Sequence, residues 1–354
     1  MLQPIRDRHH PATRSFNMEF VNIPDADLRV SRVGLGTWAM GGRMWGGTDE
    51  RDSIATIHAA LDQGINLVDT APAYGFGLAE EIVGRALAAE GARSRTVIAT
   101  KAGLEWSASK IRRNSTRERI MLEVEDSLRR LRTDYIDIYQ VHWPDPLVPI
   151  EETAEAMHTL LLQGKIRAIG VSNFSVDEMK RFAAVAPLHV AQSPYNLFER
   201  DIEHDVLPYC IARGIVTLGY GALCRGLLSG RMRPGITFEG DDLRSVDPKF
   251  GSPRFEQYLY AVLALDQLAR QRHRRVIHLA VRWMLDQGVS VALWGGRQPE
   301  QMEPALGVAG WSLDLATRER IDRILKKSIF DPVGPEFMAP PTRRQPIPSR
   351  GSGK

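Results

Sequence analysis

Four side chains that could carry a proton follow short apolar, β-branched runs of the sequence: Asp69, Tyr74, Lys101 and His142. Asp69 lies in the run INLVDT, Lys101 ends the run TVIATK, and His142 follows the run IDIYQV. Such runs, separated by helical stretches, are typical of parallel strands, and the carboxyl ends of parallel strands meet on one face of a sheet or barrel. We therefore expect an acid, a phenol, an amine and an imidazole to share one site.

These four groups suit donation of a proton to an oxygen that is becoming negatively charged. A tyrosine hydroxyl is a poor acid near neutral pH, because its reference pKa is about 10. A nearby ammonium favours the phenolate and lowers that pKa, and a carboxylate keeps the lysine charged and oriented. The combination of Tyr74, Lys101 and Asp69 therefore predicts a site for the reduction of a carbonyl group.

The elements that must position these groups alternate regularly along the chain. Strand-like runs occupy residues 33–37, 66–69, 96–100, 136–141, 166–171, 188–193, 214–220 and 289–293. Apolar residues at helical spacing lie between them, for example in residues 52–64, 79–91, 116–132 and 150–164, and several of these stretches end in Gly. Eight strands that alternate with helices favour a closed (β/α)8 TIM barrel over an open, doubly wound sheet.

Segments outside this alternation divide the chain further. Residues 1–17 are polar and predict a flexible arm, and the turn at residues 24–27 predicts an N-terminal β-hairpin before the first barrel strand. Residues 221–254 are too long for an ordinary βα loop and predict a lid or a binding segment. Residues 331–354 predict a Pro-rich C-terminal tail, which leaves residues 18–330 for the barrel.

Composition excludes several function classes. The chain has 354 residues, of which 43% are apolar and 25% charged, as in an ordinary globular protein. Its net charge is only +3, and basic and acidic residues alternate along the predicted helices, whereas a nucleic-acid-binding surface has a continuous stripe of basic residues. No apolar stretch is long enough to span a bilayer, and the first residues contain no apolar signal core. The two cysteines, Cys210 and Cys224, form no paired motif for zinc or a disulfide framework. We expect a cytoplasmic enzyme with no metal and with no nucleic-acid or membrane partner.

Residues 34–39 match the dinucleotide-binding pattern G-x-G-x-x-A, but their context argues against a Rossmann fold. That pattern is meaningful only where the glycines open a helix whose N-terminus holds a pyrophosphate. In this chain more glycines and two bulky residues follow, and helical spacing begins only near Glu50. In addition, no tyrosine has a lysine four residues later, as tyrosine-based reductases of that fold require.

With these residues placed, the chain resembles the aldo-keto reductase superfamily across roughly residues 18–330. Within it, the chain is most similar to the bacterial branch of NADP-dependent reductases that act on glyceraldehyde and short polyol-type aldehydes. The resemblance rests on long, separated motifs in a fixed order: LGTWAMGG, INLVDTAPAYGFGLAEEIVGRAL, ATKAGLEW, DSLRRLRTDYIDIYQVHWPDP, GKIRAIGVSNFS, LGYGALCRGLLSG and LWGGRQPEQ.

The resemblance implies a mechanism that agrees with the chemistry expected from the residues themselves. Tyr74 would donate the proton to the carbonyl oxygen, Lys101 would lower the pKa of Tyr74, and Asp69 would pair with Lys101. His142 would orient and polarise the carbonyl. The implied hydride source is NADPH, and the implied substrates are short aldehydes, hydroxyaldehydes or sugar-derived carbonyls, with polyols as substrates in the reverse direction.

The resemblance also assigns cofactor and substrate positions. Cofactor binding falls to Gly36, Thr37, Trp38, Ser172, Asn173, Gln192, Tyr220, Leu223, Gly226, Leu228, Ser229, Arg231, Gly295, Arg297 and Gln301. Among these, Arg297 would contact the 2′-phosphate of NADP. Residues 221–254, called the covering segment below, would partly cover the cofactor. The substrate pocket would be lined by Trp38, Trp106 and Trp143. The sequence departs from the family at Trp294, where a Pro is usual.

Two other functions are compatible with parts of this pattern. Lys101 could form a Schiff base, as in barrel aldolases, although a phenol and a carboxylate beside it and the cofactor motifs argue against that chemistry. The same barrel with the same cofactor also serves as a regulatory subunit of membrane channels, and a cofactor-binding protein with little catalysis is the alternative that stays open. The oligomeric state and the physiological substrate are not determined by the sequence.

Overall fold

The computed structural model describes residues 18–107 and 110–343, so the predicted arm at residues 1–17 and the end of the predicted tail lie outside the described residues. The described chain begins with the expected β-hairpin, in which β1 (Phe20–Ile23) pairs antiparallel with β2 (Leu28–Ser31). Asp25 and Asp27 in the turn adopt φ angles of 60° and 47°, a left-handed conformation that Asp tolerates better than most residues.

The remaining strands of the described ranges contain the predicted barrel. They are β3 (Val33–Gly36), β4 (Leu67–Asp69), β5 (Val97–Ala102), β6 (Leu104–Ser107), β7 (Lys110–Arg113), β8 (Ile136–Val141), β9 (Ile166–Ser172), β10 (Val190–Pro194), β11 (Val216–Tyr220) and β12 (Val291–Gly295). All except β6 and β7 pair in parallel and close into an eight-stranded barrel, in which β12 pairs with β3. The (β/α)8 TIM barrel is confirmed, and the strands lie close to their predicted positions.

Helices cover the outside of the barrel. In the described ranges they are α1 (Glu50–Asp62), α2 (Leu78–Ala89), α3 (Arg117–Leu131), α4 (Ile150–Leu162), α5 (Val176–Ala183), α6 (Val206–Arg213), α7 (Arg254–Arg270), α8 (Val276–Asp286) and α9 (Leu315–Ser328). The Thr116 side chain accepts a hydrogen bond from Arg119 N at 3.4 Å, which confirms the helix start that the sequence predicts. None of these helices is both long enough and apolar enough to cross a bilayer.

The apolar residues form two cores that leave one end of the barrel open for chemistry. The larger core lies between the strands and the surrounding helices. The smaller core lies inside the barrel, where Leu28 and Val30 of the hairpin pack on strand residues such as Leu67, Ile138 and Val291. Each such buried side chain contributes roughly 1.5–3 kcal/mol. The hairpin therefore closes the amino end of the barrel, and the site must form at the carboxyl end.

Two features of the carboxyl end differ from a plain barrel. The hairpin of β6 and β7, which was not predicted, extends from the end of β5. The described part of the tail, residues 331–343, returns to this hairpin, where Arg113 N donates to Pro341 O at 3.0 Å and Arg113 Nε to Pro340 O at 2.8 Å. Arg343 also pairs with Asp145 at 3.2 Å. The tail therefore runs along the mouth of the barrel.

Candidate active site

The carboxyl ends of β4, β5 and β8 bring the four predicted groups together. Asp69 ends β4, Lys101 lies near the end of β5, and His142 directly follows β8. Lys101 Nζ donates a hydrogen bond to Asp69 Oδ1 at 2.7 Å and to Thr70 O at 2.9 Å. It also donates to Tyr74 Oη at 3.2 Å. Three acceptors match the three N–H groups of an ammonium, so the geometry fits a charged lysine.

Tyr74 is held by a close approach between its own turn and the turn at Trp38–Gly41. A Cβ atom at Gly41 would lie 2.6 Å from the Tyr74 carbonyl carbon, and one at Gly75 would overlap the Gly41 carbonyl oxygen. Gly75 also has a φ of 64°, so both positions require glycine. The Trp38 ring stacks on the Tyr74 ring, with 6.1 Å between centroids. These contacts fix the phenol beside Lys101.

The pKa of Tyr74 departs from the sequence-based expectation. Loss of water around the phenol raises its pKa well above the ordinary value, and the Asp69 carboxylate raises it further. The net direction is therefore opposite to the one expected from the Lys101 ammonium alone, because that expectation left out the cost of desolvating a phenolate. Burial also lowers the pKa of Lys101, although Asp69 opposes that shift. Tyr74 consequently keeps its proton at neutral pH, and Lys101 is placed to stabilise the oxygen after the proton leaves.

His142 completes the group on the other side of the phenol. Its ring lies 5.8 Å from the Tyr74 ring in an edge-on arrangement, with an interplanar angle of 80°. Desolvation lowers the pKa of His142 well below its ordinary value, and the positive charge of Lys101 acts in the same direction. The imidazole is therefore neutral at physiological pH, and it can act as a hydrogen-bond donor without carrying a charge.

Two glutamines fix the second oxygen of Asp69. Gln192 Nε2 donates to Asp69 Oδ2 at 2.8 Å, and Gln140 Nε2 lies 3.4 Å from the same oxygen. Gln140 was not predicted as a site residue. A signal was nevertheless present, because strand side chains alternate and Gln140 lies two residues before His142 on the same face. The pair restricts the orientation of the carboxylate that holds Lys101.

A cavity of about 380 Å³ opens beside Asp69 and Tyr74 at the carboxyl end of the barrel. Its size lies in the range of small-molecule and cofactor sites. Many of the positions predicted for cofactor binding line it: Gly36, Thr37, Trp38, Tyr220, Leu223, Gly226, Ser229, Arg231, Gly295, Arg297 and Gln301. The described residues contain no cluster of His, Cys, Asp and Glu side chains that could hold a metal ion.

Comparison with known proteins identifies the family. The sequence profile described as "Aldo/keto reductase family" matches residues 32–326, which is most of the chain. The chain belongs to the aldo/keto reductase family. Membership in this family supports an oxidoreductase activity, and it agrees with the resemblance drawn from the motifs.

Relatives and solved structures extend this finding. The chain is 61% identical to the aldo-keto reductase YhdN of Bacillus subtilis over 330 residues, which cover 93% of this chain and 100% of the relative. It is 35% identical to the NADH-specific methylglyoxal reductase of Escherichia coli, over 84% of this chain and 95% of that protein. The structure of glycerol dehydrogenase AKR11B4 from Gluconobacter oxydans superposes with a TM-score of 0.83 at 52% identity, covering 92% of this chain and all of that one.

A structure with a bound dinucleotide is also similar to this chain. The aldo/keto reductase from Klebsiella pneumoniae in complex with NADP and acetate has a TM-score of 0.66 and 27% identity, with coverage of 91% of this chain and 96% of that one. Family members of this shape are therefore known with NADP bound.

The other positions that the family motif predicts for the cofactor lie beside the cavity lining. Asn173 Nδ2 donates to His142 O and to Ser172 Oγ, both at 3.0 Å, and Tyr220 Oη donates to Asn173 Oδ1 at 2.9 Å. Gln192 Nε2 donates a hydrogen bond to Asp69, and Leu228 is a fully buried residue of the covering segment. Contact of Ser172, Asn173, Gln192 and Leu228 with a cofactor stays a prediction.

The three predicted substrate-pocket tryptophans have different surroundings. Trp38 lines the cavity beside Tyr74. Trp106 lies on β6 and stacks on Phe76 with 5.9 Å between ring centroids, and Trp143 lies 5.2 Å from the Arg113 guanidinium. Neither Trp106 nor Trp143 is among the residues that line the cavity, so their contact with a substrate stays a prediction.

The cavity wall farther from Tyr74 carries several arginines. Arg297 Nη1 donates to Trp45 O at 2.8 Å and to Gly47 O at 3.2 Å, and its side chain makes no other hydrogen bond with the described residues. Arg275 lies 4.0 Å from an exposed Glu303. The side chain of Arg231 has no hydrogen bond or ion pair with any described residue. These arginines make this end of the cavity positively charged.

The turn around Arg297 is stabilised by the unusual Trp294. The Trp294 indole Nε1 donates to Gln301 O at 3.0 Å, and Gln301 Oε1 accepts from Arg297 N at 2.9 Å. A proline at position 294 could not make the first contact. Where the family usually has the rigid ring of a proline, this chain has Trp294, and the hydrogen bond of its indole stabilises the turn.

Proposed function

We propose that this chain is an NADPH-dependent reductase of short aldehydes, hydroxyaldehydes or sugar-derived carbonyls, and that it oxidises polyols in the reverse direction. The observation that carries the proposal is the hydrogen bond of Lys101 Nζ to Tyr74 Oη at 3.2 Å, beside a cavity large enough for a ligand. A protonated phenol next to a lysine ammonium suits an acid that must become an anion during the reaction.

Each residue of the group has a defined task in this proposal. Tyr74 Oη donates its proton to the carbonyl oxygen of the substrate. Lys101 stabilises the phenolate that remains, and Asp69 keeps the ammonium in place. Neutral His142 donates a hydrogen bond to the same carbonyl oxygen and so orients it. When bound, a reduced nicotinamide would supply the hydride to the carbonyl carbon.

The donor set around the cavity supports a dinucleotide as the cofactor. Residues that would hold its nicotinamide end are Tyr220, with an aromatic ring on the cavity wall, and the amide of Asn173. Positive charge at the other end, from Arg231, Arg275 and Arg297, suits a ligand with several phosphates. The relatives with bound NADP and the glycerol dehydrogenase of similar shape support the same cofactor and substrate classes.

NADPH in preference to NADH is the finer part of the proposal. The Escherichia coli relative is an NADH-specific enzyme, so membership of the family does not decide between the two. The argument for NADPH is the arginine-rich end of the cavity, because guanidinium groups bind phosphate as planar, two-pronged donors.

The test is oxidation of NADPH, followed by its near-ultraviolet absorbance, with glyceraldehyde as substrate and with NADH in parallel. We expect turnover, with NADPH used more efficiently than NADH. Tight binding of NADPH without turnover on glyceraldehyde, methylglyoxal or a sugar-derived aldehyde would contradict the reductase and favour the cofactor-binding regulatory role.

Arg297→Ala should weaken the use of NADPH much more than that of NADH. A charge-assisted contact to phosphate contributes roughly 1.5–3 kcal/mol, so kcat/KM for NADPH should fall by about 10- to 100-fold. The kcat/KM values for both cofactors measure the effect. Arg244→Ala is the matched control, since Arg244 also lines the cavity but is already paired with Asp242 through two hydrogen bonds. Equal losses for NADPH and NADH in Arg297→Ala would contradict the assigned contact with the 2′-phosphate.

The rate of reduction should be nearly independent of pH around neutrality. The pKa of Tyr74 is raised and that of His142 lowered, so from about pH 7 to pH 9.5 the phenol stays protonated and the imidazole neutral. We expect no loss of kcat/KM for the carbonyl substrate as the pH falls to about 7, because His142 is already neutral there, and a loss on the alkaline side when Lys101, whose pKa is lowered by burial, or Tyr74 gives up its proton. A loss of activity toward acid pH centred at or above about pH 7 would contradict a neutral His142.

A further inference from the structure

Four ionisable side chains that take no part in the proposed proton transfer are buried together where the covering segment meets the connection after β10: Glu199, Arg225, Asp247 and Lys249. Arg225 Nη2 donates to Glu199 Oε1 at 2.5 Å, and Arg225 Nε donates to Asp247 Oδ2 at 2.5 Å. Lys249 Nζ lies 2.8 Å from Glu199 Oε1. Each of these side chains is at most 3% exposed. We call them the charge cluster, and its two cations balance its two anions.

The charge cluster joins the segments that surround the cavity. Arg225 belongs to the first part of the covering segment and lines the cavity, whereas Asp247 and Lys249 belong to its last part. Glu199 lies in the connection after β10. Lys249 Nζ also donates to Gly334 O of the tail at 3.1 Å. Both ends of the covering segment are therefore fixed at one point, together with the tail.

The backbone at Arg225 shows why the cluster is needed. Cys224, Arg225 and Gly226 have φ angles of 44°, 52° and 96°, so two residues with side chains adopt the left-handed conformation in succession. That conformation costs about 1–2 kcal/mol per ordinary residue, and it persists only where the surroundings enforce it. Gly226 and Ser229, which line the cavity wall, come directly after these residues in the chain.

We infer that Arg225 is a positioning residue, and that the charge cluster holds the covering segment in its cavity-forming conformation before any ligand binds. Removing four charges from water is costly, and this cost is offset only when all four are in contact. The segment therefore docks as one unit. A wall held by these contacts would spare dinucleotide binding the free energy of ordering the segment. The inference rests on the proposed function in one respect: it takes the ligand of the cavity to be a nicotinamide dinucleotide.

The first test compares Arg225→Met with Arg282→Met by hydrogen exchange in the protein without added dinucleotide. Arg282 is the matched control, because its side chain is 5% exposed and pairs with Glu19 and Asp286 near the amino end of the barrel. We expect amides of residues 221–249 to exchange at least about tenfold faster in Arg225→Met and to be unchanged in Arg282→Met. Faster exchange spread evenly over the barrel in Arg225→Met, or none in the segment, would overturn the inference.

The second test measures the dissociation constant of NADPH by fluorescence for the same variants. Arg225→Met should bind at least about tenfold more weakly, Arg225→Lys should lie between it and the parent, and Arg282→Met should bind as the parent does. Equal dissociation constants for Arg225→Met and the parent would overturn the inference. If the parent itself binds no NADPH, the proposed function fails, whereas the hydrogen-exchange comparison still decides the role of the charge cluster.

Discussion

Tyr74→Phe should lower the rate of carbonyl reduction by about 10²- to 10⁴-fold, the range that a general acid contributes. The phenylalanine ring keeps the stacking on Trp38 and removes only the hydroxyl that Lys101 contacts at 3.2 Å. His142 cannot take over as the acid, because its imidazole is neutral and its pKa is lowered. The measurement is kcat with glyceraldehyde at saturating NADPH.

The same variant separates chemistry from binding. The arginines that would hold the phosphates are unchanged in this variant, so the affinity for NADPH should change less than about threefold, or about 0.7 kcal/mol. Trp38→Phe is a suitable comparison, since it alters the ring that supports Tyr74 and leaves the hydroxyl intact. Parallel losses of rate and NADPH affinity in Tyr74→Phe would contradict the role of proton donor.

Lys101→Met should lower both the activity and the stability of the protein. Lys101 is fully buried and its partner Asp69 is nearly so, with 2.7 Å between Nζ and Oδ1. Removing one member of a buried ion pair leaves an uncompensated charge, which costs about 3–5 kcal/mol in the free energy of unfolding. Because Gln192 still donates to Asp69, we expect the lower end of this range. Urea unfolding measures the stability and NADPH oxidation the activity.

The double variant Asp69→Asn/Lys101→Met gives the sharper result. Without the carboxylate no buried charge is left unpaired, so most of the lost free energy of unfolding should return. Activity should stay low, because the phenolate of Tyr74 would still lack its ammonium. If the single and double variants were equally stable, Asp69 would not carry a negative charge in the folded protein.

The barrel and the four catalytic candidates could be predicted because both depend on local patterns. Buried parallel strands require continuous β-branched runs, and these runs place Asp69, Lys101 and His142 at strand ends by geometry alone. The same regularity located the hairpin and the start of α3 at Thr116. Eleven of the fifteen cofactor positions that the family motifs predicted line the cavity.

The direction of the Tyr74 pKa shift could not be predicted in the same way. It depends on how much water the surrounding segments exclude from the phenol, and on the distances to Lys101 and Asp69. Sequence position indicates which charges are near, but it does not give the balance between desolvation and charge. The neutral state of His142 has the same origin.

The sequence by itself determined the (β/α)8 barrel, the residues at its strand ends and the class of chemistry, because these follow from short-range periodicity and residue type. Only the tertiary structure decided the second support of Asp69 by Gln140, the course of the tail along the mouth and the charge cluster around Arg225. These contacts join residues that are far apart in the chain, and the tail and the loops around Arg225 have no repeating sequence pattern. Their partners are selected by packing and by the need to pair buried charges, which no local pattern records.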